Sequence, residues 1–403
     1  MRRVALALFL GLALAAPASA AEPDLRARPG GSFGHAVAAA GDTLVVGDPA
    51  DAGERGAVYV FQRTGDVWMQ TAKLTAADGA PGDALGWSVA VSGATVVAGA
   101  PSNGDCKGAV YTFAPRGADG YAQAANLAAA DGAPGDHLGL AVAIDADTIV
   151  AGAPDASAAG GAVYTFASAG EPARTETAKL TATVAAAGDQ LGSSVAISGA
   201  TVVAGAPGGV VGRGAVYTFA RVGGPARSQT ATLTASDGGP GKRLGASVAV
   251  QGDTIVAGAP DVYAGPRDNH GSLYTFAATG VPERTESAKL RAADDSPGDL
   301  LGTSVAIDGA TIVAGAPLAA SGPHGERKGA VYAFAAGGRH ARTETAELTP
   351  GGRAPRNAFG SFGNAVAIAG DTVLTGSPGR GMAAVYFSRR APVRKKAHHP
   401  RHT

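Results

Sequence analysis

The sequence predicts an all-β chain: a seven-bladed β-propeller of four-stranded antiparallel blades, with the ring closed by an N-terminal strand. Three observations carry this expectation. A Leu-Gly or Phe-Gly pair recurs at Phe33, Leu85, Leu138, Leu191, Leu244, Leu301 and Phe362, at intervals of 52, 53, 53, 53, 57 and 61 residues. Each interval holds several short strand-like stretches that cannot bury both faces alone and must stack on the next copy. Composition agrees, since 61 glycines and only 5% aromatic residues suit tight turns and small-residue packing.

The copy that begins at Leu191 shows how each interval divides. Strand A, GSSVAIS (residues 192–198), alternates small polar and apolar residues, and a tight hairpin turn follows. Strand B, TVVAGAP (201–207), is nearly continuously apolar, as expected where both faces of a sheet are covered. Pro207 ends it because proline gives no ladder donor. Strand C, GAVYTF (214–219), is β-branched and aromatic. Strand D is polar and alternating: SQTATLTA (228–235), with QTAKLTA (70–76) and TETAKLTA (175–182) as counterparts. Alanine and glycine crowd strands A and B, where blades converge on the axis. The seventh copy ends after its strand C, AAVYF (383–387). Residues 23–28, PDLRAR, are expected to supply its missing strand D and to protect that edge.

Residues 1–20 combine Arg2 and Arg3, an apolar run of 13 residues and Ala18-Ser19-Ala20. This is the pattern of a secretory signal peptide, too short for a bilayer span, which needs about 20 residues. Residues 21–388 form the predicted propeller. Residues 389–403 form a basic tail containing His398, His399 and His402, read as solvated or as an anchor to anionic envelope surface. The mature protein is expected to be secreted, periplasmic or at the cell surface, and monomeric. Between leader and tail stand 25 basic against 33 acidic residues, which argues against nucleic acid as partner of the body. The single cysteine, Cys106, excludes an internal disulfide.

The order Leu/Phe-Gly-x-Ser-Val-Ala, Val-Ala-Gly-Ala-Pro, Gly-Ala-Val-Tyr-Thr-Phe resembles the FG-GAP repeat. Phe33-Gly34 stands with Gly47-Asp48-Pro49, Leu191-Gly192 with Gly205-Ala206-Pro207, and Phe362-Gly363 with Gly376-Ser377-Pro378. That repeat builds the propeller at the head of integrin α subunits and recurs in exported bacterial proteins. The resemblance implies an extracellular binding or adhesion module. It also implies a place to look for calcium, since calcium-binding members carry an Asp-x-Asp-x-Asp-Gly loop between strands A and B. Here that connection is a tight turn, with Asp145-Ala146-Asp147 the nearest approach. Calcium wants six to eight oxygens, so no such site and no cofactor is expected.

A second acidic pattern lies in the D–A connectors, within DGAPGD-like strings: Asp78 and Asp83, Asp131 and Asp136, Asp294 and Asp299. These read as turn-forming aspartates, with a weak calcium site as the alternative. Lys242 replaces the second Asp after blade 4, and Val184 replaces the first after blade 3. GGPGKR (238–243) lacks the first glycine and the hydroxyl of a phosphate loop. His35, His137, His270, His324 and His340 are scattered, and no nucleophile elbow occurs, so the chain is read as no enzyme, a propeller hydrolase being the remote alternative. Trp68, Trp87 and Tyr121 do not recur between copies, which weakens a lectin reading without removing it.

The B–C and D–A connectors should share one face. The B–C connector holds 6 residues in blades 1 to 4, but 10 in blade 5 (261–270) and 11 in blade 6 (318–328). The D–A connector into blade 7, including residues 350–361, is also long. These loops carry five basic against three acidic residues. Tyr263, Arg267, His270, His324, Arg327, Lys328, Arg353 and Arg356 are therefore the candidate patch for an acidic extracellular protein or an anionic polymer.

Overall fold

The structure, a computed structural model, describes residues 25–26 and 31–387 apart from 66, 118–119, 157–159, 185, 262–269, 295, 321–326, 338–343 and 351–360. Seven sheets, each built on four antiparallel strands, stand around an axis. Blade 1 comprises Val37–Ala40, Thr43–Asp48, Ala57–Thr64 and Val67–Leu74, paired in that order. Blade 4 comprises Ser194–Ser198, Thr201–Ala206, Ala215–Ala220 and Ala231–Thr234. Blades 2, 3, 5, 6 and 7 repeat the plan, so strands A to C fall where the sequence pattern puts them.

The recurring glycines have one physical reason. In every blade, the Gly of the Gly-Ala-Pro position packs on the next blade's Leu/Phe-Gly carbonyl. A Cβ on Gly47, Gly99, Gly152, Gly205, Gly258, Gly315 or Gly376 would lie 1.8 to 2.0 Å from that oxygen. Only hydrogen fits there. The series runs through Gly376 onto Gly34, so blade 7 abuts blade 1 by the same contact.

The core lies between blades rather than within them. One cluster joins Val97, Val110 and Leu127 of blade 2 to Ile149, Tyr164 and Phe166 of blade 3. Another joins Leu374, Val385 and Leu25 to Leu44, Val46, Tyr59 and Phe61 of blade 1. Leu25–Arg26 pairs antiparallel with Ala383 and Met382 at the outer position of blade 7. The remainder of the expected closing strand, residues 23–24 and 27–28, lies outside the described residues.

The outer strands differ from expectation. Residues 228–235 do not form one strand: Ala231–Thr234 is strand D of blade 4, whereas Ala226–Ser228 crosses to blade 3. There it pairs in parallel with Lys179–Thr181. Ala173–Arg174 does the same on blade 2, and Glu283–Thr285 on blade 4, so these three blades carry a fifth strand. Each crossing segment reads Pro-x-Arg. Burial lowers the guanidinium pKa of Arg174, Arg227 and Arg284 from its ordinary value. Arg227 and Arg284 donate to the carbonyls of Ala220 and Ala277, at 2.7 Å each. These bonds fix the crossing.

Candidate binding face

The B–C and D–A connectors do meet on one face. Gly56, Gly108, Gly161, Gly214, Gly271 and Gly329, which open strand C, form parallel bridges to Leu85, Leu138, Leu191, Leu244, Leu301 and Phe362. Each B–C loop is thereby sewn to the connector entering the following blade.

The aspartates of the connectors hold this face together. The second of each string is buried and accepts the backbone N–H three residues before it. Ala80 donates to Asp83 at 2.7 Å, Ala133 to Asp136 at 2.8 Å and Ser296 to Asp299 at 3.0 Å. Asp189, whose string lacks the first aspartate, makes the same bond with Ala186 at 2.7 Å. At the position of Lys242 the charges are exchanged. Its ammonium pairs at 2.9 Å with Asp261, which is 2% exposed in the blade 5 loop. Burial pushes the Asp261 carboxyl up, against the pull of Lys242.

The first aspartate of each string meets the strand C tyrosine and, where present, a strand D lysine. Tyr164 donates to Asp131 at 2.9 Å, and Lys179 pairs with the same carboxylate at 2.5 Å. Tyr274 donates to Asp237 at 2.7 Å, and Lys289 completes the set. In blade 1, whose entering residues 26–32 include no aspartate, Asp51 from the B–C loop takes the role, with Tyr59 at 2.7 Å and Lys73 at 2.8 Å. Asn126 serves Asp78 at 3.0 Å. The hydrogen bond from Lys179 holds Asp131 below its ordinary pKa. Asp78, Asp83, Asp131, Asp136 and Asp299 thus serve as turn and interblade ties, and Asp294 stands at the same station beside Tyr332. Among the described residues no group of three or more His, Cys, Asp or Glu side chains is placed to hold a metal ion. Asp145 and Asp147 are likewise taken up, by Arg221 of blade 4, which pairs with Asp145 at 3.1 Å and with Asp147.

Of the candidate patch, Tyr263, Arg267, His324, Arg353 and Arg356 lie outside the described residues. His270 and Lys328 are half-buried beside the bridging glycines Gly271 and Gly329. Arg327 is exposed, and its guanidinium donates to the Pro297 carbonyl at 3.5 Å. The three described members sit at the feet of the loops.

The sequence reading missed the mouth of the axial channel on this same face. Three successive residues from each blade line a cavity of about 210 Å³ open to solvent. Its rim consists of the residues that follow each Leu/Phe-Gly: His35, Trp87, Leu140, Ser193, Ala246, Thr303 and Asn364. The scaffold around them repeats, yet these seven side chains are all different. The His35 and Trp87 rings lie 4.5 Å apart at 50°, and Trp87 is 38% exposed. Asn364 donates to the His35 carbonyl at 3.3 Å. Burial pushes the His35 imidazole pKa down. The signal was legible, because the position after a repeated dipeptide is where seven copies disagree completely.

The chain can now be placed. Six stretches, residues 27–61, 68–113, 121–166, 175–219, 228–276 and 285–334, match the family model for the FG-GAP repeat. They cover well over half of the chain, which therefore belongs to the FG-GAP repeat family. The seventh blade follows these stretches and keeps the geometry without matching the model. The fold is also similar to the crystal structure of the computationally designed Ika8 protein. That likeness has a TM-score of 0.52 at 13% identity and covers 89% of this chain and 96% of that one. No curated protein sequence matches the chain. An FG-GAP propeller is consistent with a binding module.

Proposed function

We propose that the protein is an exported, non-enzymatic binding module that engages an extracellular protein or anionic polymer across the face of the B–C and D–A connectors. The observation that carries this reading is the channel mouth, where a repeating scaffold presents seven unlike side chains around an exposed tryptophan. A tryptophan backed by a histidine gives a large, rigid contact at low entropic cost, as anchors of interfaces do. Arg327, exposed at the foot of the blade 6 loop, supplies charge beyond the rim. The hydroxyls in the mouth favour binding over chemistry. Ser88, Ser194, Ser247 and Ser304 donate to the next blade's glycine carbonyl at 2.7 to 2.9 Å, while Ser193 and Thr303 donate to carbonyls of their own turns. A nucleophile would need a base instead.

A second reading, a glycan-binding propeller, is favoured by Trp87 alone, since an exposed indole stacks on sugar rings. Trp87→Ala decides whether the mouth matters. It should leave the melting temperature within about 2 °C of wild type, as expected for a half-exposed rim residue. Binding to cells or envelope extracts should fall by about thirtyfold or more, the loss expected of a hot spot. Unchanged binding removes the mouth from the site. Wild type on a glycan array separates the readings, because only the second predicts selective retention of sugars.

A further inference from the structure

The channel mouth has two unlike sides. On blades 1 to 3 the rim carries His35, Trp87 and Leu140, three large side chains in succession. On blades 4 to 6 it carries Ser193, Ala246 and Thr303, all small. Trp87 belongs to blade 2, so Ala246 and Thr303, on blades 5 and 6, stand across the ring from it. The seat is therefore off-centre: an indole walls one side, and short side chains leave room on the other.

Below the rim the lining changes. The third residue of each triplet is valine in all seven blades, from Val37 to Val366, each 8 to 9% exposed. These valines form an apolar throat. Between rim and throat stand only alanine and serine. The serine hydroxyls there, like those of Ser193 and Thr303 above, already give their protons to backbone carbonyls. None of the 21 lining residues is Asp, Glu, Lys or Arg. His35 is the one imidazole among them, and burial pushes its pKa down, toward the neutral ring. At about 210 Å³ the cavity is smaller than the roughly 300–1,000 Å³ of a small-molecule site, so it takes one group rather than a whole ligand.

These features sort the candidates. A carboxylate or phosphate would enter a mouth that offers no cation and whose hydroxyls have only lone pairs left. An ammonium or guanidinium would leave water for a throat with no carboxylate to pair with. A sugar ring could stack on Trp87, but its hydroxyls point all round and would lie unpaired against the valines. An aromatic side chain loses nothing there and gains an offset or edge-on contact with the indole. Resting on the reading of this face as the binding surface, we propose that a protein partner anchors itself in the mouth by one uncharged aromatic side chain. Its ring lies between Trp87 and the small side chains of blades 5 and 6, with its tip toward the valine throat. Charges on the partner stay outside the rim.

Fluorescence of the full mature chain tests this, because its two tryptophans differ in access. Trp68 is 5% exposed and Trp87 38%, so acrylamide quenching reports on the mouth. The probe is N-acetyl-phenylalaninamide, which does not emit where tryptophan does. It should shield Trp87 with a half-effect on the order of 10 mM, the affinity that burying one aromatic ring supplies. The amides of N-acetyl-arginine and N-acetyl-glutamate, and methyl glucoside, should each need at least about tenfold more. Ala246→Phe closes the seat from the far side, and the repeat already carries a larger ring at this station, Trp87 in blade 2. In that variant the probe should add no further shielding, with the melting temperature within about 2 °C of wild type. No shielding by the phenylalanine amide, equal shielding by a charged amide or the glucoside, or undiminished shielding in Ala246→Phe overturns the proposal. The panel on the wild-type chain decides if the variant does not fold. If Trp87→Ala loses cell binding while the phenylalanine amide gives no shielding, the aromatic anchor falls and the binding face stands.

Discussion

Blades 5 and 6 share a plan and differ at one station. In each, a strand C tyrosine (Tyr274, Tyr332) meets a connector aspartate (Asp237, Asp294). Opposite the tyrosine on strand D, blade 5 has Lys289 and blade 6 has Glu347. The consequences are opposite. In blade 5 burial works to raise the Asp237 carboxyl, but hydrogen bonds from Lys289 and Tyr274 outweigh it and hold the pKa below its ordinary value. In blade 6 burial, then the charges of Asp294 and Glu344, pushes the Glu347 carboxyl above its ordinary value. One substitution in an otherwise repeated frame turns a tie into a repulsion.

The largest expected effect tests what the two blades have in common. Gly258→Ala and Gly315→Ala would each press a methyl to within 2.0 and 1.8 Å of the next blade's glycine carbonyl. Each should cost more than about 4 kcal/mol and leave little folded protein, since backbone atoms cannot step aside singly. A urea midpoint near that of wild type for either would show that the blades can spread, and the shared frame would cease to be a fixed reference.

Exchanging the charges tests the difference itself. Lys289→Glu should lower stability by about 1 kcal/mol, and Glu347→Lys should raise it by up to about 1 kcal/mol. Both figures are kept small because these groups are partly exposed and screened by solvent. Equal effects of the same sign, read from urea midpoints, would break the comparison.

The pH dependence gives the smallest and most diagnostic effect. A carboxyl with a lowered folded pKa binds fewer protons in the folded state. Asp237 therefore contributes stability that is present above its unfolded value near 3.8 and lost as pH falls through the folded value. Glu347 has the reverse sign. Its raised pKa means the folded state holds the proton longer, so stability falls as pH rises from 4.5 through the folded value. Relative to Glu347→Gln, wild type should lose stability on going from acid to neutral pH. Relative to Asp237→Asn, it should gain stability over the lower part of the same range. Parallel profiles for the two variants would remove the electrostatic account.

Much of this molecule is determined by sequence alone. The period of the Leu/Phe-Gly dipeptide sets the number of blades, and the alternation and β-branching within each period set strands A to C. The small residues at Gly47 through Gly376 mark where blades must touch. These signals are local, or repeat at a fixed distance, so they survive without coordinates. The tertiary structure decided what depends on pairing between neighbouring copies. It split the expected outer strand at Ser228, sending Ala226–Ser228 to blade 3, because the Pro-x-Arg segment finds backbone partners there along Lys179–Thr181. It gave the connector aspartates their tyrosine and lysine partners, 33 and 48 residues away in the case of Asp131. It also gathered His35, Trp87 and Asn364 at one mouth although 329 residues separate the first from the last. A ring brings its first and last blades side by side, and spacing along the chain does not name the side chains that then meet.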